Sequence, residues 1–342
     1  MVFFPMYIVV MKLIGNHSIR SRLQRLVKTE SLHHCLLFEG PKGIGKYVHA
    51  LWLAKIINCT EAQDGDENFP CNRCWSCRMI DRMEHPDIRT IGYDPQKATK
   101  IISVRQAREL ILEIQVHPFR AKKRVVIIEP ADAMRVEAAN ALLKTLEEPP
   151  TSTMFILICD FATQLLPTIR SRSQRVRFQP LSKEELQDWI VDQPDAHSSL
   201  SVLALSEGTC GGAKAILNQQ EEWIQLRNEF LSVVRKGPSD QIAWVASFCS
   251  GPKQKWLPTM ELLLDIIATV LRDLWLLEAA STVELYHEDI RGSLLRFQRN
   301  PIWLSKLFQE LMQIHSDLSI HVNGKLLLEA FLASAHGKLV DS

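Results

Sequence analysis

A glycine-rich segment, Gly40 to Lys46, has the pattern G-x-x-x-x-G-K of a phosphate-binding loop. Its glycines, Gly40, Gly43 and Gly45, let backbone N–H groups wrap around a phosphate, while Lys46 and a helix N-terminus supply positive charge. The next residue is Tyr47, where a working loop carries Ser or Thr to ligate magnesium through a small hydroxyl. A phenol ring cannot replace that ligand. The segment therefore predicts a P-loop fold whose nucleotide site is degenerate.

The apolar run Val125 to Ile128 carries a second sign of a degenerate site. In hydrolytic P-loop proteins this strand ends with an acid that holds the metal, and in many families a second acid activates the attacking water. Here the two positions are Glu129 and Pro130. Glu129 retains a metal-binding carboxylate, but Pro130 cannot act as a base.

Four cysteines, Cys59, Cys71, Cys74 and Cys77, form the pattern C-x11-C-x2-C-x2-C. Four thiolates in one short segment match a closed tetrahedral zinc site, which has no open position for catalysis. An iron–sulfur cluster of the bacterial type expects a fourth cysteine followed by proline just downstream, and none exists there. We predict a structural zinc module at about residues 59–77, with His85 as a less favoured substitute ligand.

The elements that position these groups alternate between strand and helix. Short apolar runs indicate buried strands, and apolar residues at helical spacing indicate the intervening helices. The predicted order is strand Cys35–Phe38, helix Lys46–Ile57, helix Val104–Val116, strand Arg124–Ile128, helix Val136–Glu148 and strand Met154–Cys159. This order is typical of a doubly wound α/β domain that ends near Pro180.

The pattern changes beyond Pro180, where the remaining sequence predicts only helices. Ser182 and Glu185 have the spacing of a capping box that begins the first of these helices. Turns are expected at Gly237–Pro238 and Gly251–Pro252. We therefore predict an α/β plus all-α protein with three domains: an α/β domain over residues 1–180, a small helical domain over residues 181–235 and a C-terminal helical domain over residues 236–342.

Composition is that of an ordinary globular protein, with 46% apolar and 23% charged residues. Lys and Arg exceed Asp and Glu by one, so no global field steers the chain to nucleic acid or to an anionic membrane. A local phosphate contact is possible through four basic residues, Arg120, Lys122, Lys123 and Arg124. The favoured interpretation is that they form a solvated strand entrance, that is, that they are exposed to solvent where the strand begins. The apolar segment Met1 to Met11 lacks the features of a signal peptide and is too short to span a bilayer, and Met11 is an alternative start. We expect a cytoplasmic protein without a membrane partner.

Further motifs resemble one family, the clamp-loader subunits of bacterial DNA polymerase III within the AAA+ ATPases. The matching segments are Leu13–Asn16, the cysteine module, Asn140–Pro150, Thr168–Ser173 and His321–Glu329. The resemblance implies an AAA+ P-loop domain with an inserted zinc module, a helical lid domain and a helical collar domain that mediates oligomerisation.

The resemblance also implies which type of subunit the chain is. Motor subunits of the family, gamma and tau, carry an intact phosphate loop, an Asp-Glu pair and a sensor arginine, whose position here resembles Gly211. With all three altered, the chain is similar to the delta-prime type, which does not hydrolyse ATP but gives an arginine finger to a neighbour. The family's Ser-Arg-Cys motif places that role on Arg172, with Ser173 in place of the cysteine.

This resemblance implies an accessory subunit of a DNA-directed DNA polymerase, a nucleotidyltransferase holoenzyme. The expected partners are the gamma/tau motor and delta subunits in a hetero-oligomeric ring, the sliding clamp, and primed DNA through the assembled complex. Two alternatives remain open. One is a divergent ATP-hydrolysing motor subunit, which nucleotide binding to the isolated chain would reveal. The other is a zinc-bearing DNA-binding adaptor, which would not co-purify with motor and delta subunits.

Overall fold

The computed structural model describes residues 13–61, 70–93, 101–193, 202–203, 206–318 and 323–339. The chain divides into two compact units, one of Met1–Trp189 with Gly208–Gly211 and one of Ile190–Glu207 with Gly212–Ser342. The predictions for the apolar segment Met1 to Met11 lie outside the described residues, as does the stretch 62–69 of the cysteine module. The three-domain division remains a prediction.

A parallel five-stranded sheet forms the centre of the first unit. Its strands are β1 (Cys35–Glu39), β2 (Ile88–Ile91), β3 (Arg124–Ile128), β4 (Thr153–Cys159) and β5 (Gln174–Arg177). They lie in the order β2-β3-β4-β1-β5, with Leu37 opposite Leu157 and opposite Arg175. The three strands predicted from apolar runs are the inner ones, because only these are buried along their length. The edge strands β2 and β5 are short and are interrupted by charged residues. They therefore contain no continuous apolar run that would predict a buried strand.

The helices that the structure describes beside this sheet are, in sequence, α1 (His17–Lys28), α2 (Lys46–Asn58), α3 (Trp75–Asp81), α4 (Val104–Ile114), α5 (Val136–Glu147) and α6 (Pro167–Ser171). Helices α4, α5 and α6 bury apolar residues in one core with β1, β3 and β4. Leu142 and Leu146 of α5 and Ile169 of α6 all lie in this core. The carboxyl ends of β1, β3 and β4 therefore meet at one edge, where the phosphate loop begins.

The described elements after residue 182 are helical, as the sequence predicts. They are α7 (Lys183–Val191), α8 (Cys210–Asn218), α9 (Gln220–Val234), α10 (Pro238–Phe248), α11 (Lys253–Glu278), α12 (Arg291–Leu294), α13 (Pro301–Leu318) and α14 (Gly324–Leu339). The capping box is formed: the Glu185 N–H donates to Ser182 Oγ, and the Ser182 N–H donates to Glu185 Oε2. In the second unit α9 to α14 share one apolar core. None of the described helices combines the length and apolar character needed to cross a membrane.

Arg124 corrects one sequence interpretation. It is not part of a solvated strand entrance, since only 6% of it is exposed. Its guanidinium donates to the carbonyl oxygens of Glu113 and Val116 at 2.8 and 2.9 Å, where it satisfies the end of α4. A phosphate contact by this residue is therefore excluded in this conformation.

Candidate functional site

The phosphate loop occupies the turn between β1 and α2, as its glycines require. Gly43 and Gly45 have φ angles of 80° and 93°, a left-handed conformation that favours glycine. Gly40 lies so close to Phe178 that a Cβ atom there would be 2.7 Å from the Phe178 carbonyl oxygen. Lys46 then begins α2. The turn thus has the left-handed glycines and the helix start that the phosphate-binding motif predicts.

The Lys46 ammonium is directed into its own chain. It is 5% exposed and donates to the carbonyl oxygens of Gly40 and Pro41 at 2.5 and 2.9 Å. A third bond, of 2.8 Å, goes to Asp160 Oδ1 at the end of β4. An ammonium has three donors, and these three acceptors use all of them. A phosphate would have to displace at least one of these acceptors.

Tyr47 lies where a magnesium-binding hydroxyl is expected, but its phenol is engaged elsewhere. Its oxygen is 3.0 Å from Thr90 Oγ1 on β2. Burial raises the pKa of the Tyr47 phenol to about 12, although the hydrogen bond with Thr90 opposes this rise. The phenol is therefore neutral at physiological pH and is a poor ligand for a divalent cation.

Glu129 and Asp160 place two carboxylates near the same lysine. Burial raises the pKa of Glu129 to about 7; the Lys46 charge opposes this shift and the Asp160 charge adds to it. A carboxyl with this pKa is about half protonated at neutral pH, so Glu129 is a weaker metal ligand than an ordinary glutamate. Pro130 follows Glu129 and contributes no second acid.

Gly211 contacts the phosphate loop through its backbone. Its N–H donates to the Gly43 carbonyl oxygen at 2.9 Å. A Cβ atom at Gly211 would lie 2.6 Å from Gly43 Cα, closer than real Cβ atoms approach backbone. The absence of a side chain at Gly211 is therefore what allows this contact.

The four cysteines of the predicted metal site lie together at the junction of α2 and α3. Their sulfur atoms all lie within 4.8 Å of one another. Cys59 follows α2 directly, and Cys74 is the N-cap of α3. Cys71 Sγ accepts the Cys74 N–H at 3.3 Å, and Cys74 Sγ accepts the Cys77 N–H at 3.4 Å. N–H groups aimed at sulfur favour the thiolate form, so this donor set fits a tetrahedral metal ion.

His85 is not part of this cluster. Its Nε2 is 3.1 Å from Ser76 Oγ, and its Nδ1 accepts the Asp87 N–H at 3.1 Å. Both ring nitrogens are therefore used in hydrogen bonds. The described candidate ligands consist of the four cysteines alone.

The cysteine module is fixed to its surroundings by charged side chains. Lys55 of α2 donates to Asn72 Oδ1 at 3.0 Å and forms an ion pair with Asp81 of α3. The Arg120 guanidinium lies over the Trp75 ring, 4.7 Å from its centroid. The module is thus attached both to α2 and to the segment before β3.

Arg172 follows α6 directly and precedes β5. Its side chain is 32% exposed and forms an ion pair with Glu147, the last residue of α5. Nη1 also donates to the Thr168 carbonyl oxygen at 3.0 Å. Ser173, at the position where the resemblance implies a cysteine, donates to the Ile169 carbonyl oxygen at 2.8 Å and contacts Cys35 Sγ. The guanidinium is thus held at the surface of α5 and α6.

Sequence reasoning missed two side chains that the structure brings to these sites, Asp160 and Glu147. Asp160 follows a predicted strand at the carboxyl end of the sheet, which is a position where ligands of α/β proteins gather. The position of Asp160 after this strand could therefore have identified it from the sequence as a candidate site residue. The pairing of Glu147 with Arg172 had no local signal, because it depends on how α5 packs beside α6.

Comparison with known proteins gives a consistent set of relatives. A family model described as "DNA polymerase III, delta subunit" matches residues 15–182. The DNA polymerase III subunit delta' of Bacillus subtilis (strain 168) is 31% identical over 323 residues, which cover 92% of this chain and 91% of that protein. The delta' subunit of Pseudomonas aeruginosa is 35% identical, over 61% of this chain and 63% of that protein. The gamma subunit of Buchnera aphidicola is 28% identical, over 87% of this chain and 81% of that protein.

Proposed function

The chain belongs to the delta-prime family of DNA polymerase III subunits, and on that premise we propose that it is the stator of a sliding-clamp loader. In this role it joins gamma/tau motor subunits and a delta subunit in a ring that places the clamp on primed DNA during replication. Its own phosphate loop does not hydrolyse ATP. It acts in the cytoplasm as an accessory subunit of the polymerase, and its C-terminal helical domain serves as the collar.

The bonding of Lys46 is the observation that carries this proposal. In a working loop this ammonium stabilises the charge on the β- and γ-phosphates. Here its donors go to Gly40, Pro41 and Asp160. Tyr47 supplies no small hydroxyl, and Pro130 supplies no base. Each of these features supports loss of hydrolysis by a different physical route, and together they favour the stator over the motor subunit.

Arg172 is the residue that we propose acts on ATP, in trans. A guanidinium keeps its charge at neutral pH and offers a planar fork of donors, which suits the charge on a γ-phosphoryl group in the transition state. The exposure of Arg172 allows a neighbouring subunit to reach it. Since the finger comes from another chain, hydrolysis then depends on correct assembly of the ring.

The cysteine cluster is proposed to hold one structural zinc ion. Cys59, Cys71, Cys74 and Cys77 supply four sulfur ligands, which leave no position for a reacting water. The ion would stabilise the short segment between α2 and α3. We assign it no part in the reaction.

Reconstitution with the cognate gamma/tau and delta subunits tests this function. The complex is assembled with wild-type chain or with Arg172→Ala, and its ATPase activity is measured with clamp and primed DNA. An arginine finger contributes about a thousandfold or more at the site it serves. We expect that one site to become inactive while other sites keep their own fingers, so total turnover falls in part.

Arg177→Ala is the matched control, because Arg177 is an exposed arginine on the neighbouring strand β5. It should leave turnover unchanged. A chain that fails to enter the complex would contradict the stator role. Unchanged hydrolysis in a complex shown to contain Arg172→Ala would contradict the finger role.

A further inference from the structure

Arg172 is held by a contact that the family resemblance did not lead us to expect. Its Nε and Nη2 atoms both contact Oε1 of Glu147, and on the other side Nη1 donates to the Thr168 carbonyl oxygen. The guanidinium is therefore bonded on two sides and its plane is defined. A flexible arginine has several rotamers for each side-chain torsion, and these contacts select among them.

Glu147 belongs to a rigid element, whereas Arg172 does not. Helix α5 spans 12 residues and is anchored in the sheet core by Leu142 and Leu146. Helix α6 has only five residues, and Arg172 lies just beyond its end. A side chain at the end of so short a helix gains little orientation from its own backbone. The fixed carboxylate on α5 supplies the missing constraint.

The position of Glu147 is not explained by helix stability. It is the last residue of α5, where the negative end of the helix dipole disfavours a carboxylate. Its side chain is 45% exposed, so it does not fill the core either. An acid at this position is best accounted for by the cation that it binds.

We infer that Glu147 is a positioning residue for Arg172, which orients the guanidinium before a neighbouring subunit presents its ATP. This inference rests on the proposed finger role of Arg172. Preorganised donors stabilise a transition state without reorganisation at the moment of reaction, and small displacements of such groups reduce rates strongly. Glu147 itself does not contact the nucleotide. It acts through Arg172.

The contact geometry predicts which substitutions are tolerated. One oxygen atom, Oε1, receives both contacts from the guanidinium. Glutamine has the same length and keeps one such oxygen, while alanine has none. Glu147→Gln should therefore preserve the orientation of Arg172, and Glu147→Ala should lose it.

The test uses the reconstituted loader with clamp and primed DNA and compares wild type, Glu147→Ala, Glu147→Gln, Arg172→Ala and the double variant Glu147→Ala/Arg172→Ala. Glu147→Ala should give about half or more of the decrease in kcat that Arg172→Ala gives. Glu147→Gln should restore kcat to near the wild-type value. The double variant should equal Arg172→Ala alone, because a positioning residue has no effect without its target.

The neighbouring acid provides the control. Glu148→Ala removes an exposed carboxylate one residue further along and should leave kcat unchanged. Thermal unfolding and incorporation into the complex, measured for every variant, separate misfolding from mispositioning. If Glu147→Ala does not fold, Glu147→Met carries the test, because methionine keeps the side-chain length but has no acceptor oxygen and should lose kcat as alanine does.

Three results would overturn the inference and leave the finger role intact. These are wild-type kcat for Glu147→Ala beside a reduced kcat for Arg172→Ala, an added loss in the double variant, and failure of Glu147→Gln to rescue. If Arg172→Ala itself leaves kcat unchanged, the finger role of Arg172 is contradicted. Failure of the finger role can therefore be distinguished from failure of the positioning role of Glu147.

Discussion

The backbone N–H of Gly211 donates to the carbonyl oxygen of Gly43 at 2.9 Å, and this bond connects the start of helix α8 with the phosphate loop. The position of Gly211 resembles that of the sensor arginine in motor subunits of the family. At Gly211 this chain has a direct backbone contact with the phosphate loop. A side chain at Gly211 would disturb this contact, because its Cβ atom would lie 2.6 Å from Gly43 Cα.

We predict that Tyr47→Thr does not create ATPase activity in the isolated chain. The substitution restores a small hydroxyl for magnesium, but Lys46 stays bonded to Asp160 and Pro130 still offers no base. Adding Gly211→Arg should not help, because Gly43 Cα occupies the space beside the new Cβ. Steady-state phosphate release measures the outcome. Robust turnover by the wild-type chain alone would instead identify a motor subunit.

Gly211→Ala should destabilise the first unit by about 1–3 kcal/mol, the usual cost of forcing extra atoms into packed space. The new Cβ would lie 2.6 Å from Gly43 Cα. Because Gly43 Cα is a backbone atom, this close contact can be relieved only if the phosphate loop moves. Gly237→Ala is the matched control, because apart from its own residue and its two chain neighbours no atom lies within 4 Å of its Cβ position. Denaturant unfolding of both variants checks this. Equal stability of the two would mean that the loop adapts freely.

The purified protein should contain about one equivalent of zinc, and Cys77→Ser should remove most of it. Loss of one ligand should expose residues 59–77 to proteolysis while the sheet stays folded, because the metal stabilises the module locally. Cys249→Ser is the control, since Cys249 lies outside the cluster. Elemental analysis and limited proteolysis measure both effects. Less than about a tenth of an equivalent in wild type, or a brown iron chromophore, would reject the zinc assignment.

The second unit should lose stability as the pH falls from 7.5 to 5, because His287 is buried in neutral form. Its Nε2 is 3.0 Å from Thr269 Oγ1, and its backbone N–H donates to Asp273 Oδ2 at 2.7 Å. Burial, and then the nearby Arg227 charge, lower the pKa of His287 from 6.5 to about 4. The unfolded chain therefore takes up a proton in this range before the folded protein does. Full stability is present above pH 6.5, and about 2 kcal/mol should be lost by pH 5.

His287→Gln isolates this effect, because glutamine does not titrate and can still bond to Thr269. Asp273, whose pKa is raised by burial, acts in the opposite direction and remains in both proteins. The measurement is the free energy of unfolding against pH for wild type and variant. Parallel pH profiles would show that His287 does not set the pH dependence.

Local sequence patterns determined the position and type of each chemical motif. The loop Gly40 to Lys46 lies between a strand and a helix because turn glycines and apolar periodicity act over a few residues. The cysteines assemble for the same reason, since three of the four are separated by two residues each. The inner strands were predictable because burial on both faces produces continuous apolar runs.

Only the tertiary structure decided which distant residues meet. Asp160 reaches Lys46 because β4 pairs with β1 in parallel register, and Glu147 reaches Arg172 because α5 packs beside α6. Arg124 looked solvated in sequence but is buried, since the end of α4 lies over it. Such contacts depend on strand order and helix packing. Many different local sequences are compatible with the same strand order and packing, so the local pattern does not identify the partners. A residue's own neighbours in the chain therefore specify its element, while its partners are specified by the packing of the whole core.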